Sequence, residues 1–356
     1  MDLKALRAIL FLIILLGGSL RLTAQDVDLQ AAPAAERDEE QHDSTLLRPT
    51  VGLDYTGEVQ TDFSRARFVN LLRLHADIPF SKKLSFQLAS ISTLTTDGDY
   101  ILYSLQDYSN INVYFPNIHF AFAVAGLNWQ INDRHSLFAG IRRTDEDYFC
   151  SDGLSLFTNS SYGILPTFTW KAYIGTFPEA AVGLHYAYDH DNLRLQASLY
   201  NGEGNHEFGG RYNVFRFCPK SDGIFALGQA EYRHRGSHYY LGASLHTQYN
   251  VQSTLWTYAE QNLFPNFTLL AIYSHVIGHE VSCRNFCALG GKYSWGRFEF
   301  GLASNYVNIV GIDEFATEFL CSYHPWKFLT VKPVLHVITS DGETNCVGLF
   351  RVNVSI

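Results

Sequence analysis

The stretch LFAGIRRTDEDYFCSDGLSLFTNSSYGILP, residues 137 to 166, concentrates the side chains best able to act on a solute. Arg142 and Arg143 are followed almost at once by Asp145, Glu146 and Asp147. Opposed charges set across a narrow aqueous passage orient water and polar solutes and bias ion passage, as rings of charged side chains do in channels. The same residues in a solvated loop would pair with one another and only fix its shape. The elements that hold them decide between these readings.

Metal and covalent chemistry find less support. His275 and His279 lie four apart in HVIGHE, and Cys283 and Cys287 four apart in CRNFC. On a helix such spacing brings ligands together, but on a strand it leaves them about 13 Å apart. A hydrolase needs a nucleophile with a positioned histidine. His185, His190, His275, His279 and His336 are available, yet no stretch pairs a serine with a histidine in a recognisable pattern. No enzyme activity, metal or cofactor is expected. The cysteines, Cys150, Cys218, Cys283, Cys287, Cys321 and Cys346, sit in a chain read as exported, where disulfides are permitted, and their spacing selects no pairing.

The export reading comes from the first residues. Lys4 and Arg7 precede an apolar run from Ala8 to Leu16 and a small-residue exit at Leu22-Thr23-Ala24, the pattern of a cleaved secretory signal over 1–24. Residues 25–47, with AAPAA followed by ERDEEQHD, read as a disordered acidic lead-in. No later window approaches the length of apolar sequence that a membrane helix needs. A net charge of −9 without a basic block argues against nucleic acid. Yet 15% of residues are aromatic, which suits a sheet with one apolar and one wet face.

From about Arg48 onward, segments of roughly ten residues alternate apolar with polar side chains, as expected of strands facing lipid on one side and a lumen on the other. In LRLQASLY, Leu193, Leu195, Ala197 and Leu199 share one face, and Arg194, Gln196, Ser198 and Tyr200 the other. Gln229, Glu231, Arg233 and Arg235 share the wet face of IFALGQAEYRHR, and Arg73, His75 and Asp77 that of LLRLHADI. A soluble sandwich could not bury such charges against a second sheet without partners. The fold class is therefore all-β, a transmembrane antiparallel barrel over 48–356 with about sixteen strands, centred from near residue 53 to near residue 350. Seven even-to-odd connections, 80–83, 132–134, 189–192, 235–237, 264–266, 295–297 and 324–327, are short and rich in turn residues. The long connections, about 94–116, 144–178 and 202–221, all fall in the opposite phase. The longest, the third external loop, has room to fold into the bore and narrow it.

The segment from about 137 to 205 resembles the carbohydrate-selective outer-membrane porin family. The likeness rests on Gly140, the acids Asp145 to Asp147 before Phe149, Ser151, Leu156-Phe157, Asn159-Ser160-Ser161, Gly163, Pro166, Pro178, Ala180 to Leu184 and Tyr200-Asn201-Gly202. A weaker likeness covers Glu318, Tyr323, Pro325 and LTVKPVLHVI. It implies a sixteen-stranded barrel in the outer membrane through which sugars diffuse past an inward-folded loop, with Arg142 and Asp145 to Asp147 lining the constriction. Arg143 joins them by position. Strand phase adds Arg73, Asp77, Arg194, Gln196, Glu231, Arg233 and Lys332 as lumen-lining residues. Tyr108, Tyr114, Trp170 and Tyr173 are candidates for stacking against sugar rings, although most aromatics of such a barrel anchor it at the membrane interfaces. Expected partners are small sugars as permeating solutes, outer-membrane lipid and the barrel-assembly machinery; monomer and trimer both stay open. The alternatives are a general non-selective porin and an adhesin or structural barrel with a plugged lumen.

Overall fold

The computed structural model describes residues 48–96, 100–113, 117–170, 173–248, 252–279 and 281–356. The leader, the acidic lead-in and Tyr114 lie outside the described residues. Sixteen strands, β1 Thr50–Thr61, β2 Ala66–Pro79, β3 Leu84–Thr95, β4 Asn117–Asn132, β5 His135–Arg142, β6 Ala181–His190, β7 Leu193–Asn201, β8 Ile224–His234, β9 Ser237–His246, β10 Gln252–Phe264, β11 Phe267–Ile277, β12 Cys283–Trp295, β13 Phe298–Ile309, β14 Ile312–Trp326, β15 Leu329–Ser340 and β16 Glu343–Ser355, form one closed antiparallel barrel. Each strand pairs with its neighbours in sequence, and β1 closes on β16 with Glu58 opposite Arg351. Every sequence-derived strand centre falls inside a strand. The seven predicted turns stand at one rim, and the long connections at the other.

Alternation produces this shape because each strand must show lipid an apolar edge. In β7, Leu193, Leu195 and Leu199 are exposed on the outside while Gln196, Ser198 and Tyr200 are buried on the inside. Beside the short turns, Trp129, Tyr232, Tyr239, Phe264, Trp295 and Trp326 stand exposed, the aromatic girdle of a membrane interface. Arg235 departs from the expected wet face: it occupies the β8–β9 turn with φ +50°.

The interior differs from an evenly wetted lumen. The connection 143–180 turns into the bore, and Phe149, Leu154, Leu156, Phe157, Leu165 and Phe168 pack against Phe225, Leu227, Trp256, Leu270, Ile272, Phe286, Leu320 and Val334 on the inner faces of β8, β10, β11, β12, β14 and β15. Burying each such side chain contributes on the order of 1.5–3 kcal/mol. Residues 100–113 of the β3–β4 connection lie inward as well, and the two loops bond to each other: Asn110 N donates to Thr158 O at 2.7 Å, and Ser160 N to Asp107 O at 3.0 Å.

A loop crossing a bore must satisfy its own amides. Wall glutamates do so here. Glu318 on β14 accepts from Thr158 N at 2.7 Å, Thr158 Oγ1 at 2.9 Å and Asn159 N at 3.1 Å. Glu260 on β10 accepts from Gly153 N at 2.9 Å and from the Ser151 hydroxyl. A Cβ at residue 153 would lie 2.5 Å from Glu260 Oε1, so only glycine lets the backbone approach the carboxylate this closely. Glu314 on β14 accepts from Leu105 N at 2.7 Å and Gln106 N at 2.9 Å. These charges face inward as the pattern requires, but loop backbone covers them instead of water.

Glu318→Ala strands two buried amides, at about 1–3 kcal/mol each. The expected result is a barrel that still migrates as a folded species in unheated gels but is clipped by chymotrypsin within 143–180 at least tenfold faster than wild type.

Candidate functional site

Because the infolded loop packs against the β8–β15 side, the remaining space lies along β1–β5, β15 and β16. One cavity, of about 730 Å³, opens among the loops and is walled by Thr56, Leu71, Arg143, Asp145, Trp170, Lys332 and Arg351, among others. A second, of about 510 Å³, lies toward the short-turn rim and is walled by Thr50, Asp54, Arg73, His75, Asp77, Gln87, Arg142 and Glu146. On β1 the inward neighbours Thr56 and Asp54 belong to the first and second cavity respectively, and on β2 so do Leu71 and Arg73. The level between these pairs is faced by Arg143 and Asp145 from the first cavity and by Arg142 and Glu146 from the second.

At that level stands an ion-paired belt. Arg73 grips Glu146 with both ends of its fork, Nη1 to Oε1 at 2.6 Å and Nη2 to Oε2 at 2.8 Å. Arg143 Nη2 meets the same Glu146 Oε1 at 2.6 Å and Asp145 Oδ2 at 3.3 Å. Arg142, the last residue of β5, holds Asp147 through Nε and Nη2, each at 2.6 Å, and reaches Gln87 at 3.2 Å. The five constriction residues inferred from sequence thus share one cluster, and Arg73 from β2 completes it.

Local backbone sets this arrangement. Gly140 has φ +151°, and a Cβ there would run into the Ala125 carbonyl. Two residues later the strand ends and a 3-10 turn, Thr144–Glu146, throws the acids back toward the arginines. Asp145 is pinned by Thr176 Oγ1 and Phe177 N, each at 3.1 Å. Burial outweighs Arg143 and holds the Asp145 carboxyl above the usual range. Burial also opposes ionisation of Glu146, but Arg143 and Arg73 override it and hold that carboxyl at about 2.

The other strand-phase residues divide into groups. Asp77 faces the second cavity and accepts from Gln87 at 3.3 Å. Arg194 stands in register between Asp189 and Glu231. Glu231 meets His238 at 2.7 Å, and Arg233 meets Asp189 at 2.8 Å. Gln196 is buried beneath the loop and donates to Asp147 O at 3.2 Å. Lys332 borders the first cavity and donates to Leu156 O at 2.6 Å. Among the aromatic candidates, Trp170 and Tyr173 are exposed on the wall of the first cavity. Tyr108 is not available to a sugar: it is fully buried and its hydroxyl donates to Gln60 at 3.1 Å.

Sequence reasoning missed Asp54, Glu58, Glu260, Glu314 and Arg351. In β10, Glu260 is in phase with the buried Trp256 and Tyr258, and an acid in line with buried aromatics must meet donors; that signal was present. Also missed was the meeting of His185 with Ser198 at 2.8 Å and Asp147 at 3.5 Å. Both partners share Nδ1, so the ring relays no proton between them, and all three are buried under the loop. The six cysteines are free thiols, and His275 bonds Asn285 at 2.8 Å.

No protein-family model and no curated protein matches the sequence. Among solved structures, the high-pH form of Pseudomonas putida OprB is similar over 86% of this chain and 94% of its own, at 16% identity and a TM-score of 0.72. The low-pH form of the same protein gives 0.57. A loop-deleted OmpT of Vibrio cholerae is 8% identical over 87% of this chain and all of its own, with a TM-score of 0.60. The shared fold is thus that of outer-membrane porins. With the apolar exterior and girdle, it places the barrel in the bacterial outer membrane.

The stabilisation that Glu146 gives the belt, its carboxyl lowered from 4.5 to about 2, is fully present above about pH 4.5 and lost as pH falls toward 2. Conductance of the folded barrel in planar bilayers is expected to hold steady from neutral pH down to about 3 and to rise only as pH approaches the Glu146 value of about 2, whereas Glu146→Gln shows the raised value already at neutral pH. Identical traces for the two proteins would mean that the belt does not limit conductance.

Proposed function

We propose that this chain is a passive diffusion channel for small hydroxylated solutes, sugars foremost, and not an enzyme. The observation that carries the reading is the pair of cavities abutting at one charged, self-neutralised belt inside a barrel with an apolar exterior. Their volumes lie in the range that suits small-molecule sites. Three guanidiniums, Arg73, Arg142 and Arg143, are matched by Asp145, Glu146 and Asp147, so the belt carries no net charge. Such a belt offers hydrogen-bond donors and acceptors to a hydroxylated solute without demanding an ion. Trp170 and Tyr173 offer ring faces at the entrance, suited to the apolar side of a pyranose. The family likeness read from residues 137 to 205 points the same way.

A second reading has its own support. The apolar packing of 143–180 against the wall fills much of the bore, as in a plugged adhesin or structural barrel. Liposome swelling separates the two. Liposomes carrying the protein are expected to swell in mono- and disaccharides several-fold faster than in amino acids of similar size, and Trp170→Ala reduces that preference. Protein-free rates for every solute would establish a plug, and equal rates for sugars and amino acids a general porin.

A further inference from the structure

On the wall of the first cavity, two cations stand directly opposite each other: Lys332 on β15 is in register with Arg351 on β16. Like charges across a strand pair repel. Arg351 is compensated, since its Nε meets Glu58 Oε2 at 2.6 Å and its Nη2 reaches Ser109 Oγ at 3.1 Å. Lys332 is not. Its side chain is 95% buried, yet among the described residues no carboxylate lies within 4.0 Å of it, and the bond to the Leu156 carbonyl uses one of its three donors. Glu318 reaches Lys332 only through space, because its oxygens are bonded to Thr158 and Asn159.

A buried ammonium with no carboxylate in contact is costly, which leaves room for an anionic group that approaches from the cavity. The same wall carries Arg143, whose Nε and Nη1 are buried with no hydrogen-bond partner. The acids on that wall are already engaged: Asp107 accepts from Asn112 at 2.6 Å and Ser109 N at 3.3 Å, and Asp145 from Thr176 and Phe177. Neutral sugars leave the unspent donors of Lys332 without an anionic partner.

We infer that the first cavity holds a subsite for an anionic hydroxylated solute, a sugar carrying a carboxylate or phosphate, whose charged group docks on Lys332 beside Arg351. The inference rests on the channel reading and narrows its substrate class. The oxyanion accepts from the unspent Lys332 donors, while the hydroxyls meet the polar wall around Thr56 and Asn353. The solute then leaves its subsite for the neutral belt.

Current block in planar bilayers tests this, with the full chain purified in detergent and with glucuronate, glucose and inorganic phosphate as probes. A charge-assisted bond of ordinary strength predicts half-block by glucuronate at about tenfold lower concentration than by glucose. Lys332→Gln raises the glucuronate value about tenfold, and Lys332→Arg restores it. Equal block by glucose and glucuronate in the wild type, or an unaltered glucuronate value in Lys332→Gln, overturns the subsite while leaving the channel reading intact. Phosphate blocking as strongly as glucuronate overturns the part assigned to the hydroxyls. Should Lys332→Gln fail to fold, the wild-type reversal potential in a KCl gradient decides, with anion preference expected and cation preference contradicting the inference. Absence of conductance under every condition defeats the channel reading itself.

Discussion

Everything inside this barrel depends on carboxylates that project from the strands and accept hydrogen bonds from loop amides. A closed sheet satisfies its own backbone, but a segment led through its bore cannot borrow partners from the ladder. Glu260, Glu314 and Glu318 supply them. A carboxylate is suited to this task because its two oxygens accept several donors at once, and charge-assisted bonds to backbone N–H are stronger than neutral ones. Apolar burial then fills the space between the anchored points.

An off-centre open space follows from that anchoring. The glutamates sit on β10 and β14, so the loop body gathers on their side, where its apolar side chains are buried against the wall. Free volume is left against β1–β5, β15 and β16, and the start of the loop returns across it where Arg142 and Arg143 meet the acids after them. One device thereby sets both the filled half and the belt that faces the open half. The belt can be tight because each guanidinium already has its carboxylate, which limits the cost of desolvating six charges together.

Much of the architecture was legible in the sequence because a membrane barrel constrains every strand in the same way. Period-two alternation in segments such as LRLQASLY gave the strands and their facing, and the contrast between short turns like NDR and the long excursion after Arg143 gave the orientation. The RRTDED run gave the members of the belt, since neighbours in sequence on a tight turn remain neighbours in space. Arg73 was legible only as an inward charge; that it grips Glu146, 73 residues away, depends on the path of the loop. The same limit explains why Tyr108 looked like a platform and proved to be buried, and why Gln196 lies under the loop. Strand phase tells which way a side chain faces, not what a loop lays over it.

The most direct test is amide hydrogen exchange on the folded protein in micelles, read at Leu105, Gln106, Gly153, Thr158 and Asn159. If wall glutamates hold the loops inside the bore, these five amides exchange as slowly as those of the neighbouring strands. Exchange at the rate of an open, solvated loop would mean the bore is not filled in this way, and neither the belt nor the off-centre open space would stand.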